Sequence, residues 1–302
     1  MTTRDNRIVF HVGYPKCGST TLQRNLFLEY SSLNFISPLD PALRSEPQAQ
    51  ELIDVLMGRV AVDPGRLEGL WSSFAAPRLA ADKVNVFSEE NFLVESSHPR
   101  EALQRMHSVA PDAHLLFITR RHQDLLRSLY DMYPFVDDGR NKSFATMAQW
   151  FDFYRERPTS IVNQIRFADA VEAALDLFPP DRVVHFQFEE LFRDVDLQRD
   201  FAELLGIPLS TVMDAFAKPV QNTAAQHAGK KLTRRLAGPL RASNYLDYST
   251  IRRINSFVGR LTPSRKTTVD EGLSSRISEY YESDVQRLSR YVLELGPRQR
   301  VH

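Results

Sequence analysis

Residues 8–21 read Ile8-Val9-Phe10-His11-Val12-Gly13-Tyr14-Pro15-Lys16-Cys17-Gly18-Ser19-Thr20-Thr21. An apolar run stops, a Gly/Pro turn follows, and a helix opens on Ser19-Thr20-Thr21. In such a strand–turn–helix the loop N–H groups converge on one point, and the helix N-terminus adds partial positive charge. Lys16 brings a full charge and the hydroxyls bring donors, so the stretch reads as a cradle for a phosphate or sulfate. A Walker A loop needs Gly-x-x-x-x-Gly-Lys-Ser/Thr. Gly13 and Gly18 have that separation, but Ser19 stands in the lysine position and Lys16 lies inside the loop.

The apolar run at 8–12 is joined by three others, at 84–87, 114–119 and 182–187. They are short and apolar throughout, which predicts buried parallel strands. Helical patterns lie between them at 19–30, 99–109, 121–133 and 161–178. The gap from 31 to 83 is predicted to hold two helices, near 47–59 and 65–81, and reads as an insertion forming an acceptor-binding wall. Alternating strand and helix argues for a parallel, doubly wound α/β sheet. A last helix at 271–294 repeats Leu273, Ile277, Tyr281, Val285, Leu288 and Val292 at spacings of three and four, so one face packs on the core.

The loop Pro15-Lys16-Cys17-Gly18-Ser19-Thr20 resembles the phosphosulfate-binding loop of the sulfotransferases, whose pattern is Pro-Lys-Ser/Cys-Gly-Thr/Ser-Thr. A second motif agrees. Leu115 to Thr119 ends in Arg120, and Ser128 follows eight residues later, with Asp124 between. In that family an Arg at a strand end and a Ser at this spacing bind the 3′-phosphate of the donor, 3′-phosphoadenosine 5′-phosphosulfate (PAPS). Guanidinium gives a charge-assisted, potentially bidentate contact to such a group. The chain departs from the family in having Arg121-His122 where Asn-Pro is usual.

A third motif, Ser88-Glu89-Glu90-Asn91-Phe92, is similar to the Ser-x-Glu-Asn segment of bacterial and carbohydrate-directed members, whose Glu is the general base. That register makes Glu90 the base, with Glu89 the competitor, since neighbours on an extended segment point to opposite faces. A carboxylate beside so many cations is expected to have a lowered pKa. Residues 183–206 also resemble the family, with Phe188-Glu189-Glu190-Leu191 leading into a helix that ends in Leu205-Gly206-Ile207. Glu189 and Glu190 read as structural acids capping that helix.

The resemblance implies a three-layer α/β fold, P-loop NTPase-like, in a single domain over 1–302, with a helical insertion at 31–83 and a helical, basic part at 215–302. It implies PAPS as co-substrate and a hydroxyl or amine acceptor on a glycan, glycolipid or small molecule. The candidate catalytic residues are Lys16, Glu90 and Ser128. The donor-binding set is Pro15, Lys16, Cys17, Gly18, Ser19, Thr20, Thr21, Arg120 and Ser128, with Lys230 and Lys231 from a basic loop. No metal is implied, because loop and lysine do the work that Mg²⁺ does in kinases.

Bulk properties bound the reading. The chain has 302 residues, 42% hydrophobic, with 38 basic and 38 acidic residues, so nothing global attracts nucleic acid or a membrane. Its single cysteine, Cys17, excludes an internal disulfide framework. No run approaches the ~18 apolar residues of a membrane span, and the polar N-terminus lacks a signal h-region, so a cytoplasmic enzyme is expected. Charge is nonetheless segregated: between Ala215 and Val269 stand eleven Lys/Arg and one acid, Asp247. Within that span 227–235 is the first candidate for a donor lid and Ser264-Arg265-Lys266 the second, a groove for an anionic acceptor being the other use. The competing functions are a P-loop kinase or phosphotransferase and a non-catalytic nucleotide-binding protein. A nucleic-acid binder using the basic span ranks last.

Overall fold

The structure is a computed structural model that describes residues 7–60, 63–94, 99–136, 144, 146–218 and 267–294. Five parallel strands form its centre: β1 (Ile8–His11), β2 (Leu33–Ile36), β3 (Val84–Ser88), β4 (His114–Thr119) and β5 (Val183–Gln187). Their spatial order is β2-β3-β1-β4-β5. Apolar residues dominate them because both faces are covered, and Val9, Phe10, Val86, Phe87 and Leu115 to Ile118 are fully buried.

Helices supply the covering layers. One groups α2 (Pro47–Met57), α3 (Pro64–Leu70), α4 (Pro99–Val109) and α8 (Phe167–Leu175); the other groups α1 (Ser19–Leu22), α10 (Val195–Leu205) and α11 (Leu209–Ala217). Between them in sequence come α5 (His122–Val136), α6 (Met147–Arg155), α7 (Ile161–Gln164) and the short α9 (Phe188–Leu191). The last helix, α12 (Glu271–Glu294), packs on α5 and α8.

Several sequence boundaries shift for physical reasons. The insertion at 31–83 contains a strand, β2, besides its helices. β2 pairs with β3 at the sheet edge, where Asn34 donates to Asn85 Oδ1 at 2.7 Å. Four residues with a polar one inside carry no readable period. The helix expected at 65–81 gives way after Leu70 to a π-turn and a 3₁₀ turn ending at Arg78. The helix expected at 161–178 breaks at Ile165-Arg166, where a buried carboxylate described below starts α8 anew. Along α12, Leu273, Ile277 and Tyr281 are buried as expected, but Val285 is 48% exposed and its place is taken by Asp284, 1% exposed.

The strand order places the site. β1 is central, with β3 on one side and β4 on the other, and the chain changes sides between them. Ligands of open parallel sheets bind beyond the carboxyl ends of the strands at such a switch point. His11 pairs with Ser88 across β1–β3, and Val12 N donates to Leu116 O across β1–β4. The segments that follow β1, β3 and β4 therefore emerge together.

Candidate active site

The loop after β1 is held in an uncommon conformation. Lys16 has φ 69° and is the one non-glycine residue with positive φ among the described residues. Such an outlier costs of order 1–3 kcal/mol and clusters at functional sites. Gly18 has φ 87°, and a Cβ there would lie 2.5 Å from the Phe188 ring, so only glycine fits. Cys17 N bonds to Tyr14 O at 3.3 Å, and Thr21 N and Leu22 N return to Gly18 O, closing the turn and opening α1.

Side chains complete the cradle. Ser19 is 1% exposed, yet its hydroxyl has no hydrogen-bond partner. A buried orphan of this kind is costly unless something else meets it. Ser19 Oγ and the orphaned Nε2 of His11 both lie close over Gly13, at 3.3 and 2.9 Å from where a Cβ would stand. A phosphate or sulfate group, rich in acceptors, suits this donor set. Cys17 is fully buried and burial pushes its thiol up, so it is an inert part of the loop wall.

Arg120 braces the loop from β4. Its Nη1 donates to Lys16 O at 2.9 Å, its Nε is 3.3 Å from Glu189 Oε1, and its guanidinium carbon lies 5.1 Å from the Phe188 ring centre. Glu189 also accepts from Arg121 N at 3.4 Å. The sequence reading of Glu189 as a plain helix cap is therefore incomplete. Its partner is Arg120, 69 residues away in the chain and one strand away in space. The Phe-Glu-x-Leu pattern was visible; the pairing was not.

Glu90 and Glu89 separate clearly. Glu89 Oε1 accepts from Asn91 N at 3.2 Å and Asn91 Nδ2 at 3.0 Å in a local turn. Burial and the neighbouring Glu89 charge raise the Glu90 carboxyl above the usual range, with Lys16 pulling the other way. This corrects the expected lowering: desolvation outweighs the cation. Glu90 and Arg120 both act on the Cys17 thiol, so the loop, the end of β3 and the end of β4 share one electrostatic environment.

Ser128 lies on α5, half-buried, and no direct bond joins it to Arg120. Asp124 pairs with Arg127 at 2.7 Å. Lys230, Lys231 and 264–266 lie outside the described residues, as does nearly all of the basic span. Trp150 and Phe151 are buried as packing residues. A surface cavity of about 420 Å³ lies elsewhere, lined by Arg100, Arg166, Asp169 and Glu172, and contains none of the site residues. Among the described residues no group of His, Cys, Asp and Glu could hold a metal, and no helix is long and apolar enough to cross a membrane.

Comparison with known proteins bears on this arrangement. The family model described as "Sulfotransferase domain" matches residues 6–271. No curated protein matches the sequence. Among solved structures, the chain is similar to a mouse sulfotransferase, SULT7A1, complexed with PAP (13% identity, 95% of this chain and 87% of that one, TM-score 0.50). It also matches a sulfotransferase from Alicyclobacillus acidocaldarius (22% identity, 83% and 99% covered, TM-score 0.48). A third is a retinol dehydratase in complex with androsterone and inactive cofactor PAP (14% identity, 93% and 81% covered, TM-score 0.42).

Proposed function

The chain belongs to the sulfotransferase family, and on that premise we propose that it transfers a sulfuryl group from PAPS to a hydroxyl or amine of a glycan, glycolipid or small-molecule acceptor. One observation carries the reading. The strained loop with its unpaired buried Ser19 hydroxyl, the guanidinium of Arg120 and the raised carboxyl of Glu90 meet beyond the ends of β1, β4 and β3.

When bound, PAPS supplies an activated sulfuryl group and leaves as 3′-phosphoadenosine 5′-phosphate (PAP). Lys16 neutralises the charge that develops on the departing oxygen. Ser19 and Thr20, with loop amides, hold non-bridging oxygens. Arg120 and Ser128 hold the 3′-phosphate, and Lys230 and Lys231 are assigned to the same donor. Glu90 takes the acceptor's proton. Its half-buried setting favours this role, because a base whose pKa lies nearer the working pH transfers protons more effectively. Glu89, engaged by Asn91, is the weaker candidate. One domain over 1–302, with the acceptor wall in 31–83, completes the proposal.

Calorimetry tests it. PAP and ADP are titrated without Mg²⁺ into the wild type and Arg120→Ala. Tight PAP binding, weak ADP binding and loss of the preference in the variant are expected. Equal affinity for both, or binding only with Mg²⁺, would overturn the reading in favour of a phosphotransferase.

A further inference from the structure

Behind the loop lies a buried polar chain that the reaction scheme does not use. Gln23 Nε2 donates to Ser88 Oγ at 3.0 Å, and Ser88 Oγ lies 2.7 Å from His11 Nδ1. Gln23 is 5% exposed and the other two are fully buried. Ser88 Oγ accepts from Gln23, and its own proton has one acceptor in reach, His11 Nδ1. The imidazole then carries its hydrogen on Nε2. That Nε2 is one of the orphaned buried atoms, and it lies close over Gly13 on the side where the orphaned Ser19 Oγ also lies.

Two orphans at one point are expensive apart and complementary together. The imidazole offers a hydrogen, while the hydroxyl can accept one and donate another. We propose that His11 is a positioning residue for the donor site: its Nε2–H, directly or through one water, engages Ser19 Oγ and leaves the Ser19 proton aimed at the bound anion. Every donor in the row Gln23, Ser88, His11, Ser19 then points the same way, and hydrogen bonds aligned head to tail strengthen one another. Ser88 is also two residues from Glu90, so one chain of hydrogen bonds ties the segment bearing the base to the loop. Burial lowers the His11 pKa to about 4, which keeps the ring a neutral donor across the physiological range. The inference rests on the proposed role of Ser19 at the PAPS site.

The test is a double-mutant cycle on PAP binding and PAPS turnover with His11→Leu, Ser19→Ala and the pair, plus His11→Gln, whose amide can replace Nε2–H. His11→Leu is expected to weaken PAP by about tenfold, as for the loss of one hydrogen bond serving a charged ligand. The pair is expected to match Ser19→Ala alone, and His11→Gln to recover part of the loss. Two-bond ¹H–¹⁵N spectra of the wild type add a readout that does not depend on variants folding. They should show a neutral, Nε2-protonated His11 whose Nε2 signal shifts on adding PAP. An Nδ1-protonated ring, an unmoved signal on PAP saturation, or His11→Leu effects that add in full to those of Ser19→Ala overturn the inference while PAP binding by the wild type keeps the functional reading. Failure of the wild type to bind PAP overturns both.

Discussion

Two buried polar regions of this molecule behave oppositely. At the junction of α5, α8 and α12, Asp284 accepts from Phe167 N at 3.1 Å and Ala168 N at 2.9 Å, and lies 3.3 Å from His122 Nε2. His122 is stacked between Phe167 and Tyr281, and the Tyr281 hydroxyl donates to Val162 O at 2.5 Å. These polar side chains are all satisfied within the chain. At the end of β1, by contrast, His11 Nε2, Tyr14 OH and Ser19 Oγ are buried without partners, a lysine holds positive φ, and a carboxyl is pushed toward neutrality. The first region stores stability. In the proposed reading the second gives some up to be ready for a ligand, as functional sites do.

The largest expected effect sharpens that contrast at Glu90. Glu90→Gln is expected to lower kcat by about 10²–10⁴-fold, the usual contribution of a general base. Its PAP affinity, read by calorimetry, should stay close to that of the wild type. A variant that keeps its turnover would remove Glu90 from the chemistry. Because the acid is raised, the low-pH limb of kcat/KM in the wild type should lie above the ordinary carboxylate range.

Next comes the satisfied region. Asp284→Ala leaves two buried amides and His122 without their acceptor, and is expected to cost about 3 kcal/mol in denaturant unfolding. PAP affinity of the folded variant should not change. A large loss of affinity at unchanged stability would break the division between the two regions.

Gly18→Ala follows, with about 1–2 kcal/mol for the left-handed backbone besides the clash with Phe188. Adding Phe188→Ala should relieve the clash alone, so unfolding and PAP binding recover only in part. Full recovery would mean that the conformation of Gly18 does not matter.

The smallest effect is on stability against pH. In the folded chain Glu90 binds its proton more tightly than when unfolded, so stability falls as pH rises from the ordinary carboxylate value through the raised one. Glu90→Gln should therefore melt slightly higher than the wild type at neutral pH, with the gap closing in acid. A variant that melts lower would contradict the raised pKa.

Legibility in the sequence followed the range of the interaction. Strands β1, β3, β4 and β5 were readable because burial on both faces leaves a mostly apolar run. β2 was not, being a four-residue edge strand set between Ser32 and Ser37 inside the long gap from 31 to 83. On α12 the spacing of apolar residues by three and four favoured Val285, because an aspartate is the last residue a hydrophobic pattern puts inside. Asp284 is buried since the buried amides at the start of α8 need an acceptor, and α8 lies more than a hundred positions away. The same limit hid the partner of Glu189 and reversed the expected sign at Glu90, where burial outweighed Lys16.

By itself the sequence determined the kind of chemistry. A glycine-bounded turn with an internal lysine, an arginine at a strand end and acids after another strand are local features, and local backbone geometry sets what they can bind. Tertiary structure alone decided which of these groups meet and in what electrical state. It placed Arg120 against Lys16 O, left Ser19 Oγ and His11 Nε2 unpaired close to Gly13, and took Glu90 far enough from water to raise its carboxyl above the usual range. Desolvation and pairing depend on what the rest of the chain packs around a residue, and no short stretch of sequence contains that.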